Sequence, residues 1–479
     1  MKKLLLTYPN QLWQKFDIVT TWVLNPATLC GLAAMVKDIV DIKVLDANYY
    51  NLTKEQFEAE IRSFQPDYVG ISVLTSEYGE TLDVAASIVK KISKDIVVLA
   101  GGVHPTIEFE AIIKNPDIDY VCRGEGEYAL REMLLYLEGK GERPKEGWIL
   151  RTADGVEAQH QTIIEDLRKL PWPDFSYIKL EDYLYTEHRK GPQRPPAMPY
   201  YRLRITRGCP FRCSFCQVES INGLKIRTRD PEDVVNEIVY YKEKYGLKAL
   251  VFDDDNLNGA KAFFKKVLQH MIAREVNLPW QIIAFAVWLL DDEMLDLMAR
   301  AGCTQINVAI ESGNQRVLKE IVQKPIKLDN IPTLIKKVKA KGITVLANFI
   351  VGFPGETWDE IRETVRYAEY CDADYVKIFV AVPLKNTKMW EMAEKLDAFE
   401  IDPTEIVVDW RNGQLRSDEW GGKDVSVLRT YEWDRINFST PEKRKKVAEI
   451  WGLSVEEMNK IRQDTRNALT IFNANAEIV

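Results

Sequence analysis

Three of the seven cysteines stand within eight residues, in the run Gly208-Cys209-Pro210-Phe211-Arg212-Cys213-Ser214-Phe215-Cys216. The C-x3-C-x2-C spacing gathers three thiolates on one short loop, enough to hold three irons of a four-iron, four-sulfur cube. The fourth iron would then be open to a substrate. A structural zinc site asks for four protein ligands, and the nearest histidine, His188, lies in an aromatic stretch. A redox C-x-x-C pair would leave Cys209 without a role. Cys30, Cys122, Cys303 and Cys371 are isolated, and an odd total of seven does not describe a disulfide framework. These four read as small buried hydrophobes.

The loop needs a scaffold, and the surrounding pattern supplies one. Apolar runs at Tyr201–Ile205, Ala249–Asp253, Trp280–Ala284, Gln305–Ala309, Thr344–Ile350 and Tyr375–Val380 alternate with amphipathic helical stretches. They predict a partial, open barrel of six βα units rather than eight, with the cysteine loop at its C-terminal mouth, where barrel active sites are built. Upstream, runs at Lys3–Tyr8, Lys43–Asp46, Tyr68–Val73, Ile96–Ala100 and Tyr120–Arg123 predict a doubly wound, Rossmann-like parallel sheet. Its strand-end loops are rich in Gly, Ser and Thr, as ligand-binding edges of such sheets are. A hairpin (Trp148–Gln161) and a Pro- and aromatic-rich stretch follow. The expected α/β organisation is residues 1–136 as the first domain, 137–200 as a connector, 201–389 as the barrel and 390–479 as a mainly helical, substrate-capping region.

With 46% hydrophobic and 28% charged residues and a net charge of −8, nucleic acid is not an expected partner. The opening Met1–Leu6 is too short an apolar run for a signal peptide and reads as a strand. No run approaches the ~20 residues of a membrane span. A cytoplasmic location is expected.

The cysteine loop, with Phe215 before its last cysteine, resembles the signature of the radical S-adenosylmethionine (SAM) superfamily. The resemblance spans about Tyr201–Met389 and implies that SAM chelates the open iron and is cleaved to a 5′-deoxyadenosyl radical. It implies SAM contacts from Phe215, from Asp253 and Asp254 at the second strand end, and from Glu311 and Ser312 of Glu311-Ser312-Gly313. The fifth strand resembles the adenine-contacting element and contributes Asn348 and Gly352. That strand departs from the usual G-x-I-x-G-x-x-E form, with Asn348 in place of the first glycine and Glu356 one place late.

The N-terminal strand ends resemble the cobalamin-binding domain that precedes many such enzymes. The residues implied are Ser72, Thr75, Ser76, Gly101, Gly102, His104, Gly124, Glu125 and Glu127. The D-x-H-x-x-G motif that gives cobalt a histidine is missing after the first strand, so Asn10 and Trp13 are expected at the lower cobalt face. Together these imply a class B type, cobalamin-dependent radical SAM enzyme with a [4Fe–4S] cluster, a small-molecule substrate and an external low-potential electron donor. The expected reaction methylates an unactivated carbon through the 5′-deoxyadenosyl radical and methylcobalamin. Ring closure or rearrangement without methyl transfer is the alternative within the family, and a non-catalytic cobalamin sensor with a structural metal is the alternative outside it.

Overall fold

The computed structural model describes residues 1–14, 25–75, 78–185 and 191–475, with backbone alone for 468–475. Ser76 therefore lies outside the described residues. The chain divides into two compact units, Met1–Thr186 with Ser220–Gly223, and Glu187–Glu219 with Leu224–Val479.

The first unit is built on strands β1 (Lys3–Tyr8), β2 (Asp41–Asp46), β3 (Tyr68–Ser72), β4 (Val97–Gly101), β5 (Tyr120–Cys122), β6 (Trp148–Thr152) and β7 (Gly155–Ala158). They form one sheet in the order β2-β1-β3-β4-β5-β6-β7. The first five strands are parallel. A parallel sheet is covered on both faces and so reads as unbroken apolar runs. Leu5 packs with Phe57, Ile61, Leu82 and Ala85 on one face. Its neighbours Leu4 and Leu6 pack with Leu29, Ala33, Leu130 and Met133 on the other. The chain order reverses between β1 and β3, the switch point where ligands of doubly wound sheets bind. A narrow recess opens there, lined by Tyr8, Pro9, Gln11, Asp46, Asn48 and Ser72 among others. The hairpin that the sequence pattern places in a connector extends this sheet instead, because β6 pairs antiparallel with β5.

In the second unit, β8 (Tyr200–Leu203), β11 (Ala249–Phe252), β12 (Trp280–Phe285), β13 (Cys303–Glu311), β14 (Thr344–Val351) and β15 (Tyr375–Val380) are parallel and lie side by side in chain order. The sheet is a partial barrel of six strands. A short antiparallel ladder of β9 (Thr206–Arg207) and β10 (Arg227–Thr228) brackets the cysteine loop. The free edge at β15 is occupied by the helix Gly422–Phe438. Asn437 accepts from Val376 N and donates to Val376 O, and Arg429 Nε donates to Ile378 O. These bonds satisfy edge groups that a seventh strand would otherwise take up. Two further helices, Pro441–Trp451 and Val455–Asn475, complete a mainly helical C-terminal region. No helix among the described residues is long and apolar enough to cross a membrane.

Candidate functional site

The cysteine loop leaves β9 through Gly208, whose φ of 94° is a left-handed conformation that favours glycine. Ser214 fixes the middle of the loop: its N–H donates to Val322 O at 2.9 Å and its carbonyl accepts from Met389 N at 2.8 Å. Cys209, Cys213 and Cys216 are partly buried, whereas Cys30, Cys122, Cys303 and Cys371 are buried. Burial pushes the Cys213 thiol up to about 11 against the pull of Lys324, and the Cys216 thiol up to about 12, with Cys213 and Cys209 adding to the latter. Metal binding must therefore displace protons from these two sulfurs. Among the described residues no three His, Cys, Asp or Glu side chains converge as one metal ion would require. A cube takes each thiolate at a different iron, so its ligands need not converge on one point. The donor set fits such a cluster.

The acidic strand end after β11 divides its labour. Asp253 Oδ2 is paired with Arg202, at 2.7 Å from Nε and 2.6 Å from Nη2. Asp254 is buried, and its Oδ1 accepts from Ile205 N, Thr206 N and Thr206 Oγ1, which ties β11 to the entry of the cysteine loop. Its Oδ2 is buried without a partner, and burial raises its pKa to about 7. Asp254 thus builds the loop's scaffold. Asn256, which the sequence pattern did not single out, donates from Nδ2 to Cys209 Sγ at 3.4 Å. An N–H aimed at a cluster thiolate favours added negative charge, and so the reduced state.

Glu311, at φ 72°, ends β13. Its Oε1 accepts from Lys324 Nζ at 2.7 Å, and the same ammonium donates to Ala309 O at 2.7 Å. Lys324 lies 5.1 Å from the centroid of the Trp288 ring, which in turn meets Phe211 of the cysteine loop at 5.7 Å. Lys324 is carried inward by the turn that ends the π-helix Val317–Val322, the same turn that holds Ser214. Nothing in the chemistry of a lone lysine flags it in sequence; the partners that make it part of the site come from β13 and the loop. Ser312 and Gly313 serve packing. Ser312 Oγ is 2.9 Å from Thr364 Oγ1, and a Cβ on Gly313 would come within 2.3 Å of Tyr367 Cβ.

On β14, the Asn348 carboxamide oxygen is buried without a partner. Phe215 packs on Phe353 at 6.1 Å. The displaced Glu356 holds the turn after β14: its Oε2 accepts from Gly352 N at 2.8 Å and Phe353 N at 3.0 Å. Burial raises the Glu356 pKa to about 8, above its unfolded value, so the folded state binds the extra proton between these limits. Its contribution to stability is complete below the unfolded pKa and is lost as pH rises through about 8. Glu356→Gln is expected to flatten the decline of stability between pH 5 and 8, by up to about 1.4 kcal/mol per pH unit for one proton. Urea midpoints measured across that range check it.

In the first unit, Ser72, Gly101, Gly102 and Gly124 lie at the C-terminal ends of the neighbouring strands β3, β4 and β5. Thr75 lies beyond β3, its carbonyl accepting from Tyr78 N. Gly102 has φ 102°, and a Cβ there would stand 2.5 Å from Val73 O. Gly102→Ala is expected to destabilise this unit by about 1–3 kcal/mol, read as an earlier unfolding transition in calorimetry. Glu125 is turned inward, its carboxylate accepting from Ile164 N, and Glu127 opens the helix Gly126–Leu137. The His104 imidazole packs against Gly79, 2.6 Å from where a Cβ would sit. Asn10 Nδ2 donates to Asn51 Oδ1 and Leu52 O, and Trp13 Nε1 donates to Leu52 O. Trp13 also meets Phe57 at 5.0 Å. Both side chains are thus bound toward the β2 side, and Pro9 and Gln11 line the switch-point recess in their place.

The comparisons with known proteins agree with this arrangement. Residues 203–368 match the model of the radical SAM superfamily, and residues 23–134 match that of the B12 binding domain. An uncharacterized methyltransferase of Pyrococcus horikoshii is 29% identical over 82% of this chain and 83% of its own. Cytidylyl-2-hydroxyethylphosphonate methyltransferase of Streptomyces wedmorensis is 27% identical, with 82% and 80% covered. An anaerobic magnesium-protoporphyrin IX monomethyl ester cyclase of Rubrivivax gelatinosus is 27% identical, with 85% and 72% covered. The solved structure of OxsB, a cobalamin-dependent SAM radical enzyme, superposes with a TM-score of 0.73 at 16% identity over 97% of this chain and 72% of that one, and shares its fold. The chain belongs to the cobalamin-dependent radical SAM enzymes, those members of the radical SAM superfamily that carry a B12-binding domain.

Proposed function

We propose that this enzyme transfers a methyl group from SAM to a carbon of a small-molecule substrate. The reading is supported most by the pairing of a three-thiol loop, open to a fourth ligand, with a glycine-edged B12-binding unit in one chain. The methyltransferases among its relatives support the same reading. Bound cofactors would supply a 5′-deoxyadenosyl radical from SAM and a methyl group carried on cobalt.

The residues of the chain prepare this chemistry. Cys209, Cys213 and Cys216 would hold the cluster, with Asn256 donating to Cys209. Lys324 neutralises Glu311 and holds it beside the loop. Asp254 and Ser214 keep the loop in register with the strand ends. Ser72, Thr75 and the glycines of β4 and β5 would receive the cobalamin tail, with Gln11 and Pro9 at the recess beside β1. An external low-potential reductant would complete the system.

Labelled methyl on SAM tests the reading without knowledge of the substrate. With reduced cobalamin, label is expected to leave SAM and appear on cobalt, with S-adenosylhomocysteine as co-product. Recovery of all label in SAM and in the methionine released with 5′-deoxyadenosine, with none on cobalt and no S-adenosylhomocysteine formed, overturns methyl transfer. That outcome would favour ring closure, the reaction named for the Rubrivivax relative.

A further inference from the structure

One cation on the inner face of the barrel, Lys377, makes no hydrogen bond or ion pair among the described residues. Phe349 rests its ring on Tyr367 of the helix Trp358–Tyr370, 6.3 Å between centroids, so alternation along β14 turns Asn348 to the opposite, inner face. The register pairs Asn348 with Ala309 on β13 and with Lys377 on β15, and register partners share a face. Gln281 and Gln305 close the lower end of this face, donating to Gln193 O and Pro192 O. Lys377 stands above that floor and below the strand ends.

Lys377 is 9% exposed. Among the described residues its ammonium makes neither hydrogen bond nor ion pair, and burial alone pushes its pKa down to about 7. The other deeply buried lysines are satisfied. Lys324 has Glu311 and Ala309 O, and Lys90 has Asp119 and Ile96 O. On the same face, the carboxamide oxygens of Asn348, next to Lys377, and of Asn307, two strands away on β13, are buried without donors. A folded chain leaves few such groups unpaired, and each asks for an explanation. An ammonium and two acceptors on one face are complementary to a ligand that brings an anion together with a hydroxyl or N–H.

We propose that Lys377 is the recognition residue for an anionic group of the substrate, a carboxylate or a phosphonyl oxygen, with Asn348 accepting from a neighbouring donor of the same molecule. The assignment rests on the barrel being the reaction chamber, and it names the substrate class. An anion there forms a charge-assisted hydrogen bond in a water-poor site, the strong kind.

Two small probes, acetate and methylphosphonate, test it on the full-length chain by saturation-transfer NMR of their methyl protons, with chloride balancing ionic strength. At least one is expected to bind, and the stronger identifies the anionic group. Lys377→Met should weaken that probe by about tenfold or more, while Lys377→Arg, which keeps the charge, should hold most of the affinity. Lys377→Met should also leave Tm unchanged or higher, because it removes an unpaired buried charge. Failure of both probes to bind, equal binding by Lys377→Met, or a lowered Tm in that variant would overturn the assignment. Displacement of the probe by SAM would place Lys377 in the cofactor site and overturn it as well. Anion binding is measured without turnover, so its failure is distinct from a failure of methyl transfer.

Discussion

Replacing Cys216 with alanine is expected to abolish iron loading and SAM cleavage while leaving the fold intact. Three thiolates on one loop can hold three irons, and two do not secure a cube against solvent and chelators. Cys216 is partly buried but belongs to neither apolar core of the first unit nor to that of the barrel, so the change removes one sulfur without opening a core. The loop also keeps its other anchors, Ser214 on Val322 O and Met389 N, and Asp254 on Thr206. The expected result after anaerobic reconstitution is loss of the cluster's visible absorbance, with 5′-deoxyadenosine production lower by roughly 10³-fold or more, as when a member of a unit that acts together is removed. Tm of the metal-free protein should match the parent. A variant that still binds four irons per chain would show that another residue supplies the third ligand.

Lys324→Met should have the largest effect on stability. Lys324 and Glu311 have side chains only 7% exposed each, and they meet at 2.7 Å. Removing the ammonium leaves a buried carboxylate without its counter-charge and Ala309 O without its donor, a loss of about 3–5 kcal/mol. The double variant Lys324→Met, Glu311→Gln removes both charges and is expected to recover most of that loss. Chemical denaturation of the two singles and the double forms a thermodynamic cycle, and additivity within about 0.5 kcal/mol would show that the pair is not coupled. The same lysine faces Cys213 and Cys216 electrostatically. Its loss is therefore also expected to make a reconstituted cluster harder to reduce, seen as a more negative midpoint in a redox titration, because a nearby cation stabilises the added electron.

Much of this architecture is legible in the residues because the relevant physics is local. The spacing of Cys209, Cys213 and Cys216 sets how many irons one loop can hold. The apolar runs of Leu4–Leu6 or Val345–Val351 show parallel strands because both faces of each are covered. The order of strands in the first sheet and the placement of its hairpin depend on pairing across long stretches of chain. The hairpin's alternating pattern is compatible with a free ribbon, and only its edge bonds to β5 put it in the sheet. The same limit applies to individual side chains. Asp253 and Asp254 are adjacent in sequence, yet one pairs with Arg202 and the other is spent on Ile205 and Thr206. Asn10 and Trp13 follow the first strand as a ligand-facing pair would, but Leu52 O takes both as donors.

The spacing of Cys209, Cys213 and Cys216, by itself, pointed to iron and thiolate chemistry, because three thiolates on one short loop hold three irons and leave the fourth open. Tertiary structure alone decided which charges surround it. Lys324 lies 13 positions from Glu311 and more than a hundred from Cys213, and their encounter is a product of the π-helical turn and the strand register. Lys377 is one of many lysines in the sequence, and its isolation is visible only once β14 and β15 are paired. Thiolate spacing is a property of a few bonded neighbours, whereas burial and missing partners are properties of everything the chain folds around a residue.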